Sequence, residues 1–135
     1  MFDETYTSGK VTYTVTLKTG DNIGSKWNIA QFLTNNGNIA VRSGGTNADY
    51  KNKITYTVNG GDEVLISSTA WAKNTTYVIV LTVNYDTNVV TLSVNGNEVT
   101  LTGYTPTQIN GIQFMTAKSA IDRSFTVNSI VCKVD

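Results

Sequence analysis

Nearly every segment of this chain alternates apolar and polar residues with a period of two. That pattern belongs to a strand with one buried and one wet face, and it leaves no segment asking for a helix of any length. Residues 10–18 are the cleanest case: Val11, Tyr13, Val15 and Leu17 take one face while Thr12, Thr14 and Thr16 take the other. The same reading predicts further strands over 27–33, 38–43, 53–58, 63–67, 77–85, 89–95, 98–102, 111–117 and 125–134, about ten in all. Asn36-Gly37, Asn59-Gly60 and Asn95-Gly96 each interrupt two alternating runs, as tight hairpins needing positive φ require. Pro106, the only proline, falls in the predicted loop 103–110, where it removes no ladder hydrogen bond. The expected fold is therefore all-β: an antiparallel two-sheet β-sandwich of the jelly-roll type, occupying residues 1–135 as one domain. In the run 77–85, Val78 and Val80 are apolar opposite Tyr77, Ile79, Leu81 and Val83. This predicts a central strand whose outer face is covered by a loop or a ligand.

Composition narrows the function. The 135 residues carry ten basic and ten acidic side chains, a formal net charge of zero, with 40% hydrophobic and 15% charged residues. Threonine, asparagine, serine and glycine must then supply most of the polarity. Such a chain has no long-range field to gather phosphate backbones or anionic lipid, so neither nucleic acid nor a membrane is the expected partner. No run approaches the roughly 20 apolar residues that span a bilayer. One cysteine, Cys132, excludes an internal disulfide, and its place in Ile130-Val131-Cys132 predicts a buried thiol.

The absence of histidine removes the commonest general base, the usual Ser-His and Cys-His nucleophile pairs and the commonest metal ligand together. Glycoside hydrolysis needs two carboxylates facing one bond. The neighbouring pairs Asp3-Glu4 and Asp62-Glu63 would splay to opposite faces, and both read as solvated turn acids. The expectation is a protein that is not an enzyme. A calcium ion needs only hard oxygen ligands, so Asp3, Glu4, Asp122 and Asp135 could form a structural site if the terminal strands pair. No other cofactor is called for.

Binding chemistry is better supplied. Sugars are held by aromatic faces against their C–H faces and by amides and charges on their hydroxyls. Trp71, in the polar stretch 67–76, reads equally well as a stacking platform or a lid on the core, whereas Trp27 reads as core. Tyr50 lies off the alternating core beside Lys51 and Lys53. If Ile39, Val41, Ile54 and Tyr56 face inward, Arg42 and Lys53 share one wet face. Lys51, Lys73 and Lys118 could rim the same surface, an arrangement suited to carboxylates repeated along an acidic polysaccharide. The candidate ligand-binding set is thus Arg42, Tyr50, Lys51, Lys53, Trp71, Lys73 and Lys118.

Residues 71–88, WAKNTTYVIVLTVNYDTN, followed by 89–96, VVTLSVNG, resemble the laminin-G-like and concanavalin-like jelly rolls. In those modules an aromatic after a short turn begins a long strand, an acidic turn follows, and a strand ends in Val-Asn-Gly. The closing FTVNSIVCKV of residues 125–134 resembles their final strand. In its Thr/Asn-rich, low-charge style the chain is similar to modules appended to bacterial pectate lyases and other secreted enzymes that degrade plant cell walls. The resemblance implies a secreted, monomeric, non-catalytic carbohydrate-binding module within a larger multimodular enzyme, with pectin (homogalacturonan) as ligand. Some rumen pectin-binding modules place lysines on galacturonate carboxylates, which adds to the interest of the basic positions above. The alternatives are stacking on a β-glucan or xyloglucan, and a bacterial surface domain that adheres to another protein.

Overall fold

The computed structural model describes residues 9–20, 27–35, 37–101, 104, 109–114 and 125–134, with Trp27, Phe125, Thr126, Asn128 and Val134 described by their backbone alone. The strands are β1 (Lys10–Thr19), β2 (Trp27–Thr34), β3 (Ile39–Ser43), β4 (Lys53–Val58), β5 (Val64–Ala70), β6 (Thr76–Asn84), β7 (Val89–Val94), β8 (Asn97–Thr100), β9 (Ile109–Phe114) and β10 (Phe125–Val134). The one helical element among the described residues is a single 3-10 turn, Ala48–Tyr50.

Two five-stranded antiparallel sheets result, ordered β10-β1-β6-β7-β8 and β5-β4-β3-β2-β9. Pairing of β1 with β10 in one sheet and β2 with β9 in the other nests the chain ends as a jelly roll does. The expected hairpin turns carry left-handed backbone at Asn59 (φ 52°) with Gly60 (φ 70°) and at Asn95 (φ 48°) with Gly96 (φ 86°). Asparagine and glycine tolerate that region best, so these two turns set strand register locally. Pro106 and the acids named for calcium, Asp3, Glu4, Asp122 and Asp135, lie outside the described residues.

The core forms where the alternation places it. Val11, Tyr13, Val15 and Leu17 of β1, with Ile79, Leu81 and Val83 of β6 and Val90, Leu92 and Val94 of β7, pack against Ile29 and Phe32 of β2, Ile39 and Val41 of β3, and Ile54 and Tyr56 of β4. Each such side chain contributes about 1.5–3 kcal/mol by leaving water. Strand β6 is central, as its composition requires. Val78 and Val80 stay half-buried on its outer face, opposite Thr16 and Thr14 of β1, with Ser93 of β7 beside Val80.

Cys132 corrects the sequence expectation, because its thiol is exposed. Its partner across the ladder is the buried Tyr13, so it points to the core side of the sheet. But β10 is the outermost strand, and no strand of the described residues continues the sheet beyond it. We expect Cys132 to react stoichiometrically with a thiol reagent in dilute native protein without denaturant. Protection until unfolding would show that β10 is covered.

Candidate functional site

Strands β3 and β4 pair with Arg42 opposite Thr55 and Ser43 opposite Ile54, so Arg42 and Lys53 do fall on one outer face. Beyond Ser43 the chain leaves the sheet through Gly44 and Gly45, makes the 3-10 turn and returns at Lys53. The Gly44 amide donates to the Lys53 carbonyl at 2.9 Å and the Asn52 amide to the Gly44 carbonyl at 3.0 Å. Asn47 caps the turn by accepting from the Asp49 amide at 3.1 Å. A Cβ on Gly44 would collide with the Tyr50 carbonyl oxygen and stand 2.8 Å from Glu63 Oε2, so only glycine lets the loop lie this close. The fold thereby gathers Arg42, half-buried Tyr50, exposed Lys51 and half-buried Lys53 at one corner.

At that corner the charges are not equivalent. Glu63, which reads from sequence as a solvated turn acid, is instead sealed in, with its side chain 1% exposed. Its carboxylate accepts from the Gly45 amide at 3.1 and 3.2 Å, the Asn47 amide at 2.9 Å and the Thr55 hydroxyl at 3.2 Å. It also stands 3.8 Å from Arg42 Nε, and the Arg42 side chain is only 15% exposed. Burial by itself pushes the Glu63 carboxyl up. The Asn47 and Gly45 amides, the Arg42 charge and the Thr46 hydroxyl outweigh it and hold the group below the usual carboxylate range. Asp62 stays exposed, as expected of a turn acid. Arg42 is therefore committed to an internal ion pair, and an external anion would have to compete with Glu63 for it. Lys51, Lys53 and Lys73 have no ion pair among the described residues.

Trp71 follows β5 directly and is 6% exposed, part of the core cluster. Its Nε1–H donates to the Arg42 carbonyl at 3.1 Å, and its ring meets Tyr77 edge to face with centroids 4.5 Å apart. Its amide donates to the Asn52 carbonyl at 2.9 Å, and the next amide, Ala72, donates to the Tyr77 hydroxyl at 2.7 Å. The indole thus caps the core with its one polar atom satisfied, the arrangement that permits deep burial of tryptophan. Of its two readings from sequence, the lid describes this position, and no open face is left for stacking. Lys73 is exposed on the turn tied to the end of β1 through the bond from Thr19 Oγ1 to the Ala72 carbonyl, 2.5 Å. Lys118 lies outside the described residues.

Beside the corner, Thr46, Asn47, Gly60, Gly61, Asp62 and Glu63 line an open hollow of about 510 Å³. A second, of about 420 Å³, lies on the outer face of the other sheet among Lys10, Thr82, Asn84, Thr87, Val89, Thr91 and Glu98. Both are polar and open. Among the described residues, no three His, Cys, Asp or Glu side chains come together as metal ligands would. Glu63 is the residue that reading the sequence missed. Its signal was the Gly44-Gly45 step next to Arg42, which removes two side chains where a carboxylate enters. No protein-family model and no curated protein matches this chain.

Proposed function

We propose that this chain is a non-catalytic carbohydrate-binding module for an acidic polysaccharide, homogalacturonan first among them, contacted at the corner where β3 passes into β4. The observation that carries this reading is the pair Lys51 and Lys53. Lys51 follows Tyr50 on the loop and Lys53 opens β4 two residues later, both without ion pairs among the described residues and next to an arginine already neutralised by Glu63. An ammonium is a strong point charge for carboxylates that repeat along a polymer. Tyr50 adds an amphipathic edge for a sugar ring. An open surface also suits an extended chain better than an enclosed pocket would. In this reading the module holds a secreted plant cell-wall-degrading enzyme on its substrate, and it performs no bond cleavage because it has no histidine and its buried acid is tied to an arginine.

Native gels containing homogalacturonan, xyloglucan, β-glucan or no polymer test the proposal. Homogalacturonan is expected to retard the protein, with the effect fading as salt rises. The double variant Lys51→Glu/Lys53→Glu is expected to weaken retention at least tenfold while shifting the thermal midpoint by no more than a few degrees, since surface charges contribute about 0–1 kcal/mol each to folding. Equal retention of wild type and variant would move the site elsewhere. Retention by a neutral glucan instead would remove the acidic ligand, and retention by no polymer would favour adhesion to another protein.

A further inference from the structure

The sequence holds four Asn-Gly steps: Asn36-Gly37, Asn59-Gly60, Asn95-Gly96 and Asn110-Gly111. Such a step carries chemistry of its own, because glycine has no side chain to keep its amide nitrogen away from the asparagine side-chain carbonyl carbon. The fold treats the steps differently. Asn95 is held at both ends of its side-chain amide: Oδ1 accepts from the Val78 amide at 2.7 Å and Nδ2 donates to the Thr76 carbonyl at 3.4 Å. Asn110 lies half-buried in β9, where its Nδ2 donates to Asn35 Oδ1 at 2.9 Å and Gly111 is buried in the ladder opposite Leu33. Asn59 is exposed and anchored by backbone alone. Its amide donates to the Asn38 carbonyl at 2.8 Å, and the Gly61 amide closes the turn onto the Val58 carbonyl at 3.0 Å. The Asn59 side chain makes no hydrogen bond among the described residues, and it lies against Gly37, which has no side chain to pin it. Gly60 is exposed too, with open space where a Cβ would stand. Asn36 lies outside the described residues.

We infer that Asn59 is a self-modification site, at which the folded protein deamidates faster than at Asn95 or Asn110. The Gly60 amide nitrogen gives up its proton and attacks Asn59 Cγ. A new Cγ–N bond forms, the Cγ–Nδ2 bond breaks, and Nδ2 leaves as ammonia with that proton, closing a five-membered succinimide. One water then opens the ring. Cleavage at Cγ yields aspartate, whereas cleavage at the Asn59 main-chain carbonyl yields isoaspartate, with the backbone running through the former side chain. Ring closure requires the side chain and backbone of Asn59 to rotate together, out of the left-handed turn at φ 52°. At Asn95 the same rotation breaks two side-chain hydrogen bonds in addition to the turn; at Asn59 it breaks the turn alone. Each product places a new carboxylate beside exposed Asp62, at the hollow that Gly60, Gly61 and Asp62 help to line. Isoaspartate also adds a backbone carbon to the turn between β4 and β5, where the residue count fits the hairpin.

Peptide mapping by mass spectrometry, after the whole chain has stood in mildly alkaline buffer, reads the exchange of amide for acid at each asparagine. Native protein is expected to convert Asn59 roughly tenfold faster, or more, than Asn95 and Asn110, whose side-chain hydrogen bonds must open first. In urea those bonds are gone, and the three sites should convert at similar rates. The converted protein should elute later from an anion exchanger as a species with one added negative charge, and its map should place the change at Asn59. Asn59→Gly keeps a residue that accepts the left-handed turn and removes the reacting amide, so it should fold and lack that species. Native protein that keeps Asn59 intact would overturn the inference. So would native protein that converts Asn95 or Asn110 as fast as Asn59. The site stands apart from polysaccharide binding, which the gels read separately.

Discussion

Trp71→Ala is expected to destabilise the folded domain by about 3–5 kcal/mol, the range for emptying a large buried aromatic site. The loss has three parts that the structure separates. Apolar area returns to water, the edge-to-face contact with Tyr77 disappears, and the Arg42 carbonyl loses the donor at 3.1 Å. Trp71→Phe retains much of the apolar fill and gives up the hydrogen bond, so it should cost less than alanine, by an amount that includes about 1 kcal/mol for the bond. Urea unfolding followed by circular dichroism measures both. An indole that stacked on ligand would behave oppositely: alanine would leave the urea midpoint in place and abolish polymer retention.

The second large effect is at Glu63. Removing one partner of a buried ion pair costs about 3–5 kcal/mol, because the remaining charge stays desolvated. In Glu63→Ala the Gly45 and Asn47 amides would lose their acceptor together with Arg42. Glu63→Gln keeps one acceptor oxygen but turns an amide donor toward other donors, and should fall between wild type and alanine. The pH dependence has a definite sign. The folded carboxyl titrates below its unfolded value, so its contribution is complete above the unfolded carboxylate pKa of about 4.3 and disappears as pH falls through the lower folded value. Urea midpoints measured between pH 7 and pH 2.5 should therefore drop more for wild type than for Glu63→Gln, and the two curves should converge in acid. Parallel curves would mean that folding does not shift the Glu63 carboxyl, and a wild type that gains stability in acid relative to Glu63→Gln would mean that the shift is upward.

The contrast between these residues and the well-read ones is physical. Strand β1 was legible because a period-two pattern is a local property: a residue's face follows from its neighbour's, and Val11, Tyr13, Val15 and Leu17 are all buried. The shared face of Arg42 and Lys53 was legible for the same reason, once a hairpin register joined their strands. What alternation cannot say is whether an outward side chain finds a partner there. Glu63 is 21 residues from Arg42, and only the path of the chain between β4 and β5 folds it back over the Gly44-Gly45 step. Trp71 sits in a polar neighbourhood by sequence, yet β5 runs on to Ala70 and delivers it to the end of the core. Within the candidate set, alternation put Arg42 and Lys53 on one face but could not give their contacts: Lys51 and Lys53 have no ion pair among the described residues, Arg42 is paired, and Trp71 is enclosed.

By itself, then, the sequence determined strand identity, the inward face of each strand, the Asn-Gly turns and the two-sheet class, since all of these follow from short-range sterics and from the cost of burying polar groups. Tertiary structure alone decided sheet order, and through it the fate of Cys132, which lies on the core side of its strand yet is exposed because that strand is outermost. It also decided which charges were cancelled inside the molecule, because an ion pair between residues distant in the chain exists only after packing has brought them within 4 Å and removed the water that would otherwise screen them.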